Sequence, residues 1–149
     1  MKKLSMLIML LIMLQTAMAQ DNKIIKVNLN KVRLEFMLDA EGKPFYSVYY
    51  GEKAVIKPSP MGFTLANDSA LDKHFELTGS EQTSVDETWK PVWGEVSSIR
   101  NHYQQVTIHL KQKSSAGRLM NIIFRVFEDG VVFRYEFPTQ PTLNYFIVS

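Results

Sequence analysis

The chain has 149 residues, 46% hydrophobic and 21% charged, and no cysteine. Two of its 17 Lys and Arg fall in the first three residues, so the remainder balances 15 Asp and Glu with no net charge. That neutrality argues against nucleic-acid or anionic-membrane partners, which need a basic surface, and favours an uncharged ligand or a protein surface.

Residues 1–19 read as a signal peptide, expected as a helix. Lys2 and Lys3 form a positive start, Leu4 to Leu14 an apolar run, and Ala17-Met18-Ala19 a small-x-small cleavage pattern before Gln20. The run is shorter than the ~20 apolar residues that cross a bilayer, so no membrane span is expected after cleavage. With no cysteine there is no lipid-modified N-terminus, and the expected destination is the periplasm or the exterior. Removing 19 of 149 residues leaves 130. That is enough for one domain that buries roughly two-thirds of its unfolded surface and needs no disulfide.

From residue 20 onward the pattern alternates with period two, the mark of half-buried strands. In "KVRLEFML", Val32, Leu34, Phe36 and Leu38 share a face opposite Arg33 and Glu35. "DAEGKP" (Asp39 to Pro44) is a turn, and "FYSVYY" returns as the second arm of a hairpin. Gly51-Glu52 marks the next turn. "KPSPMG" (Lys57 to Gly62) is expected as an irregular loop, since Pro58 and Pro60 remove two donors that a sheet needs. "GFTL" is a candidate short strand, and Asn67 to Lys73 a polar loop with room for one helical turn. "HFELTGSEQTSVDETW" reads as a strand bent at Gly79-Ser80. "QQVTIHLKQ" sets Val106, Ile108 and Leu110 against Thr107, His109 and Lys111.

"MNIIFRVFEDGVVFRYEF" (Met120 to Phe137) reads as a hairpin around a type I′ turn at Asp129-Gly130. That register sets Val126 opposite Phe133, Phe124 opposite Tyr135 and Ile122 opposite Phe137 on one face, and Arg125 opposite Arg134 on the other. Facing like charges repel, so a carboxylate is expected within reach of at least one of these arginines, with Glu136 the local candidate. Short strands and frequent turns imply an all-β fold, an antiparallel β-sandwich rather than βαβ units. "LNYFIVS" ends the chain in strand-like sequence with no closing turn, so the domain is expected to be incomplete at its C-terminus.

No P-loop, GxGxxG, HExxH, GxSxG or calcium loop is present. His102 and His109 are seven apart, which in a regular strand puts them on opposite faces and makes them poor co-ligands. His74 stands alone. Asp86, Glu87 and Glu95 cluster around the tryptophans, and a solvated face explains them better than a glycosidase pair, whose carboxyl separation sequence does not give. In "WKPVWGEVSSIRNHYQQ", an extended chain would project Trp89, Pro91, Trp93 and Glu95 from one side, with the indoles ~6.5–7 Å apart. Such a wall suits either a buried seam or the C–H face of a sugar, and Pro91 moves the segment toward an edge or a loop.

"KPSPMGFTL" (Lys57 to Leu65), the "W…VWGE…IRNHY" stretch and "MNIIFRVFEDGVVFRYEFP" (Met120 to Pro138) follow in that order behind a signal peptide. Together they resemble the N-terminal domain of glycoside hydrolase family 97, over essentially all of residues 20–149. The resemblance implies a sandwich of the galactose-mutarotase-like kind, packed against a (β/α)₈ barrel in exported bacterial α-glucosidases and α-galactosidases. It places the catalytic acids and much of a calcium site in that barrel, outside this chain, so no catalytic residue, metal ligand or cofactor is assigned here. It suggests Trp93, Arg100 and His102 as contacts to an oligosaccharide substrate. One departure is Gln104-Gln105, where the family pattern implies Asn-Glu. Two other readings are a free-standing periplasmic carbohydrate-binding module with Trp89 and Trp93 as its platform, and an assembly protein pairing through an exposed strand edge.

Overall fold

A computed structural model describes residues 24–66, 68–114, 116–143 and 147–148. The signal peptide expected at 1–19 lies outside the described residues. Those residues form eight strands, β1 (Ile25–Leu29), β2 (Val32–Leu38), β3 (Pro44–Tyr50), β4 (Lys53–Pro60), β5 (Phe75–Trp89), β6 (Ile99–Gln112), β7 (Leu119–Val126) and β8 (Val131–Glu136). They pair antiparallel in two four-stranded sheets, β1-β2-β3-β4 and β5-β6-β7-β8. The all-β antiparallel sandwich expected from period-two patterning is the observed architecture. No helix among the described residues is long and apolar enough to cross a membrane.

Alternation decides which face is buried. Ile25, Val27, Val32, Leu34, Phe36 and Val48 of the first sheet pack against Val106, Ile108, Leu110, Met120, Ile122, Phe124 and Val126 of the second. Phe36 and Phe124 meet across the layers with ring centroids 6.2 Å apart. The first sheet is a meander of tight turns. Asn30 takes a φ of 53° between β1 and β2, a conformation that asparagine tolerates better than most residues. Between β2 and β3, the Asp39 side-chain oxygen accepts from the Glu41 and Lys43 backbone N–H groups at 2.9 and 2.8 Å, an Asx turn closed by Gly42 at φ 72°. Gly51 has a φ of 58° in the two-residue turn from Tyr50 to Lys53, as expected at Gly51-Glu52.

"KPSPMG" departs from the expected loop, because strand β4 runs through Pro60. Its only partner among the described strands is β3, and the ladder is irregular between Tyr46 and Val48, where Lys57 and Pro58 together face Ser47. A bulged edge is where a strand can lose N–H donors cheaply, so prolines that exclude a central strand are compatible with this one. "GFTL" contributes isolated bridges rather than a strand, Phe63 to Leu71 and Leu65 to Val148. The described part of the 67–73 loop contains bends and no helical turn.

In the second sheet the irregularity expected at Gly79-Ser80 is a bulge between Leu77 and Gly79. The β7–β8 hairpin corrects the turn. Val126 pairs with Val131, Phe124 with Phe133 and Ile122 with Tyr135, two residues away from the expected register. The turn centres on Glu128-Asp129, the Phe127 N–H donates to the Gly130 carbonyl at 2.8 Å, and neither Asp129 nor Gly130 has positive φ. A two-residue slip keeps every side chain on its face, so apolar patterning cannot distinguish the registers and turn geometry decides. Arg125 therefore faces Val132 and Arg134 faces Ile123, and the expected like-charge pair does not form. A carboxylate does lie near one arginine, Glu136 at 3.5 Å from Arg134.

Arg118, 1% exposed, ties the loop after β4 to the β6–β7 connection. Its guanidinium donates to Gln112 Oε1 at 2.7 and 2.9 Å, Asp68 Oδ2 at 2.9 Å, Ser69 Oγ at 2.9 Å and the Ala70 carbonyl at 3.2 Å.

Candidate functional site

The long β5–β6 hairpin carries the residues nominated from sequence. Its register is unbroken from Gly79 opposite His109 to Trp89 opposite Ile99, so residue parity sorts the two faces. Trp89, Ile99, Glu87 and Asn101 lie on the outer face. Asp86, Arg100, His102 and Gln104 lie on the other, continuing the face that farther along buries Val106 and Ile108. His102 and His109 are on opposite faces, as their spacing requires.

The tip is not extended. Residues 90–98 form a bent loop in which Gly94 takes a φ of 143°. The premise of a same-side wall from Trp89 to Glu95 therefore fails, because Trp89 ends a strand and Trp93 belongs to the loop. Neither indole is a seam of this sandwich: Trp89 is 51%, Trp93 88% and Val92 99% exposed. Trp89 and Arg100, adjacent in the hairpin, project to opposite faces. The structure thus brings Arg100 and His102 together on one strand face and leaves Trp93 beyond them at the tip.

Around Arg100 and His102 the side chains are paired. Arg100 donates from Nε to Asp86 Oδ1 at 2.8 Å and from Nη2 to Asp86 Oδ2 at 2.7 Å. His102 Nδ1 lies 3.2 Å from Glu128 Oε1, which reaches over from the β7–β8 turn. The Arg100 hydrogen bonds, with the charges of Arg100 and His102, hold the Asp86 carboxyl below its usual range despite some desolvation. Arg100 is pushed up, first by its hydrogen bond to Asp86 and then by the Asp86 and Glu128 charges. Gln104 donates to Ser84 Oγ at 2.9 Å, and on the outer face Asn101 donates to Glu87 at 2.8 Å. Asp86 and Glu87 are therefore engaged in hydrogen bonds, while Glu95 is exposed in the tip loop. Gln105, standing where the family pattern implies a glutamate, accepts from Arg125 Nε at 2.9 Å.

Glu128 was not legible as part of this cluster, because its sequence signal is that of a turn residue. Only the β7–β8 register, which centres the turn on it, aims it at β6. Among the described residues no three His, Asp or Glu converge as metal ligands. A shallow depression of about 110 Å³ lined by Ile123, Arg125, Val132, Phe133 and Arg134 lies on β7–β8. It is smaller than the ~300 Å³ at which ligand pockets begin, and it includes none of the nominated residues.

Comparison with known proteins agrees with the fold. Residues 25–149 match the family model described as glycosyl-hydrolase 97 N-terminal. A retaining α-galactosidase of Bacteroides thetaiotaomicron is 29% identical over 90 residues, covering 60% of this chain and 13% of the relative. A glycoside hydrolase family 97 enzyme from Pseudoalteromonas sp. strain K8, solved with panose, superposes with a TM-score of 0.76 at 26% identity, covering 85% of this chain and 19% of that one. A β-arabinopyranosidase superposes with a TM-score of 0.68 at 29% identity, over 80% of this chain and 18% of that one. This chain thus spans less than a fifth of each of these relatives. With the superposition of the sandwich and the match over residues 25–149 in agreement, the chain belongs to the glycosyl-hydrolase 97 N-terminal family.

Proposed function

We propose that this chain is the N-terminal β-sandwich portion of an exported glycoside hydrolase acting on α-glucosides or α-galactosides. In this reading it packs against a catalytic barrel of the same polypeptide and supplies one wall of the carbohydrate site through Trp93, Arg100 and His102. The catalytic acids, and any calcium the enzyme needs, belong to the barrel. Residues 1–19 direct the protein to the periplasm or beyond and are then removed.

The observation that carries this reading is the uncovered hairpin tip. Val92 and Trp93 stand in solvent at the tip of the hairpin whose strands carry the paired Arg100, Asp86 and His102. Exposed aromatic and aliphatic surface rimmed by polar groups marks contact with a ligand or another domain. Relatives whose names describe glycoside hydrolases supply the chemical class.

Tryptophan fluorescence tests the wall. Titration with maltotriose or methyl α-galactoside is expected to perturb emission, and Trp93→Ala to abolish most of that response while Trp89→Ala does not. An equal response in Trp93→Ala contradicts the assignment. The reading frame after the Ser149 codon tests the barrel: continuation into alternating strands and helices is expected, and a stop codon there contradicts it.

A further inference from the structure

Arg100 and His102 each present one unpaired polar edge, and the same two neighbours determine which. Asp86 occupies Nε and Nη2 of Arg100, leaving Nη1 without a partner among the described residues. Glu128 occupies Nδ1 of His102. An ionised carboxylate only accepts, so Nδ1 carries the proton and Nε2 of the neutral ring is left with its lone pair. The two residues are two apart on one strand face, so their free edges lie on the same side, ~6.5–7 Å from one backbone position to the other.

We infer that Asp86 and Glu128 are positioning residues that set Arg100 Nη1 as a donor and His102 Nε2 as an acceptor for the hydroxyl groups of an α-linked oligosaccharide. The inference rests on the carbohydrate-contact reading above and adds to it the two residues that orient the contact and the edges that make it. A hydroxyl both accepts and donates, so it matches this donor–acceptor pair. An anion does not match: two carboxylates against one guanidinium leave the cluster negative while His102 is neutral. Arg100 feels the charges of both Asp86 and Glu128, so the carboxylates from the two hairpins act on the same guanidinium. Glu128 comes from a different hairpin than the other three, so the geometry depends on the observed β7–β8 register. In the register expected from sequence, Glu128 would flank the turn rather than occupy its centre.

The test is a side-chain NMR titration of this chain with maltotriose into the high-millimolar range, with inorganic phosphate as a second probe. In the wild type, the His102 imidazole should show the Nδ1–H tautomer, and maltotriose should shift its Nε2 and the Arg100 guanidinium signals. Glu128→Ala should lose the tautomer preference and weaken maltotriose binding by about tenfold, the loss expected for one hydrogen bond to a charged or oriented group. Glu128→Gln, whose amide oxygen still accepts, should restore much of both. Asp86→Ala should free Arg100 and weaken binding to a similar extent, and unchanged melting temperatures would separate these effects from loss of fold. If maltotriose shifts the Trp93 indole but leaves Arg100 and His102 unmoved, the inference is overturned and the wall is reduced to Trp93. If the Ala variants bind as tightly as wild type, positioning by Asp86 and Glu128 is overturned. Phosphate binding at these signals in place of maltotriose overturns the ligand class, and a flat maltotriose titration overturns both the inference and the wall.

Discussion

Arg118 illustrates how much one side chain can hold. It is buried, while its acidic partner Asp68 is partly exposed, so its value lies in five hydrogen bonds rather than in a sealed ion pair. Asp68 is held below the usual carboxylate range chiefly by the Ser69 backbone N–H, with help from Arg118. Arg118→Met keeps the packed stem but strands the buried Gln112, and it should lower unfolding free energy by roughly 2–3 kcal/mol in urea titrations without changing m. Tyr135 is a smaller case: burial raises its hydroxyl pKa above 10.0, while the Gly62 N–H donates to it at 2.8 Å. A folded pKa above the unfolded value means this contribution is complete below about pH 10 and is lost as pH rises through the folded value. Tyr135→Phe should cost ~1 kcal/mol at neutral pH and remove that alkaline slope. Asp86 has the opposite sign. Its folded pKa lies below 3.8, so its contribution is present above that value and lost only as pH falls through the folded one. A carboxyl-detected titration should place its midpoint below 3.8 in the wild type and return it toward 3.8 in Arg100→Ala.

Elements show where sequence patterning is sufficient and where it is not. The β2–β3 hairpin was legible in full, because alternation and the Asp39–Pro44 turn signal point to the same register. Gly42 is required there: a Cβ would strike the Phe75 backbone, and its φ is 72°. Gly42→Ala should therefore destabilise by ~1–3 kcal/mol, measurable as a lower denaturation midpoint. Strand β1 is hard to read from sequence although Ile25, Val27 and Leu29 alternate, because five residues beside an expected cleavage site give a weak signal. Strand β4 was hidden by two prolines, and only its edge position and bulge make them tolerable. The β7–β8 register differs from the one the sequence implies because Asp-Gly is a strong turn signal and a slip of two residues changes no face. That slip also concealed Glu128, so the positions of Arg100 and His102 were legible while the group that orients the imidazole was not. The tryptophan wall failed for a related reason: its spacing argument assumed a strand, and the segment is a loop turned by Gly94.

At the scale of the molecule, the two sheets have four edge strands, β1, β4, β5 and β8, and the β8 edge is poorly protected. Phe133 is 44% exposed at the end of a run of ring contacts, 5.7 Å from both Tyr46 and Tyr135, which are themselves half-buried against the core. β4 carries prolines that deter pairing, whereas β8 carries none. Purified alone, the chain should self-associate with rising concentration in sedimentation velocity, and Val132→Lys on the exposed face of β8 should suppress this. In the functional reading the sandwich is an accessory to chemistry performed elsewhere. Aryl α-glucoside and α-galactoside hydrolysis by the purified chain, with and without added calcium, tests that most directly. The expected result is no product above the uncatalysed background under either condition, and turnover by this chain alone would contradict it.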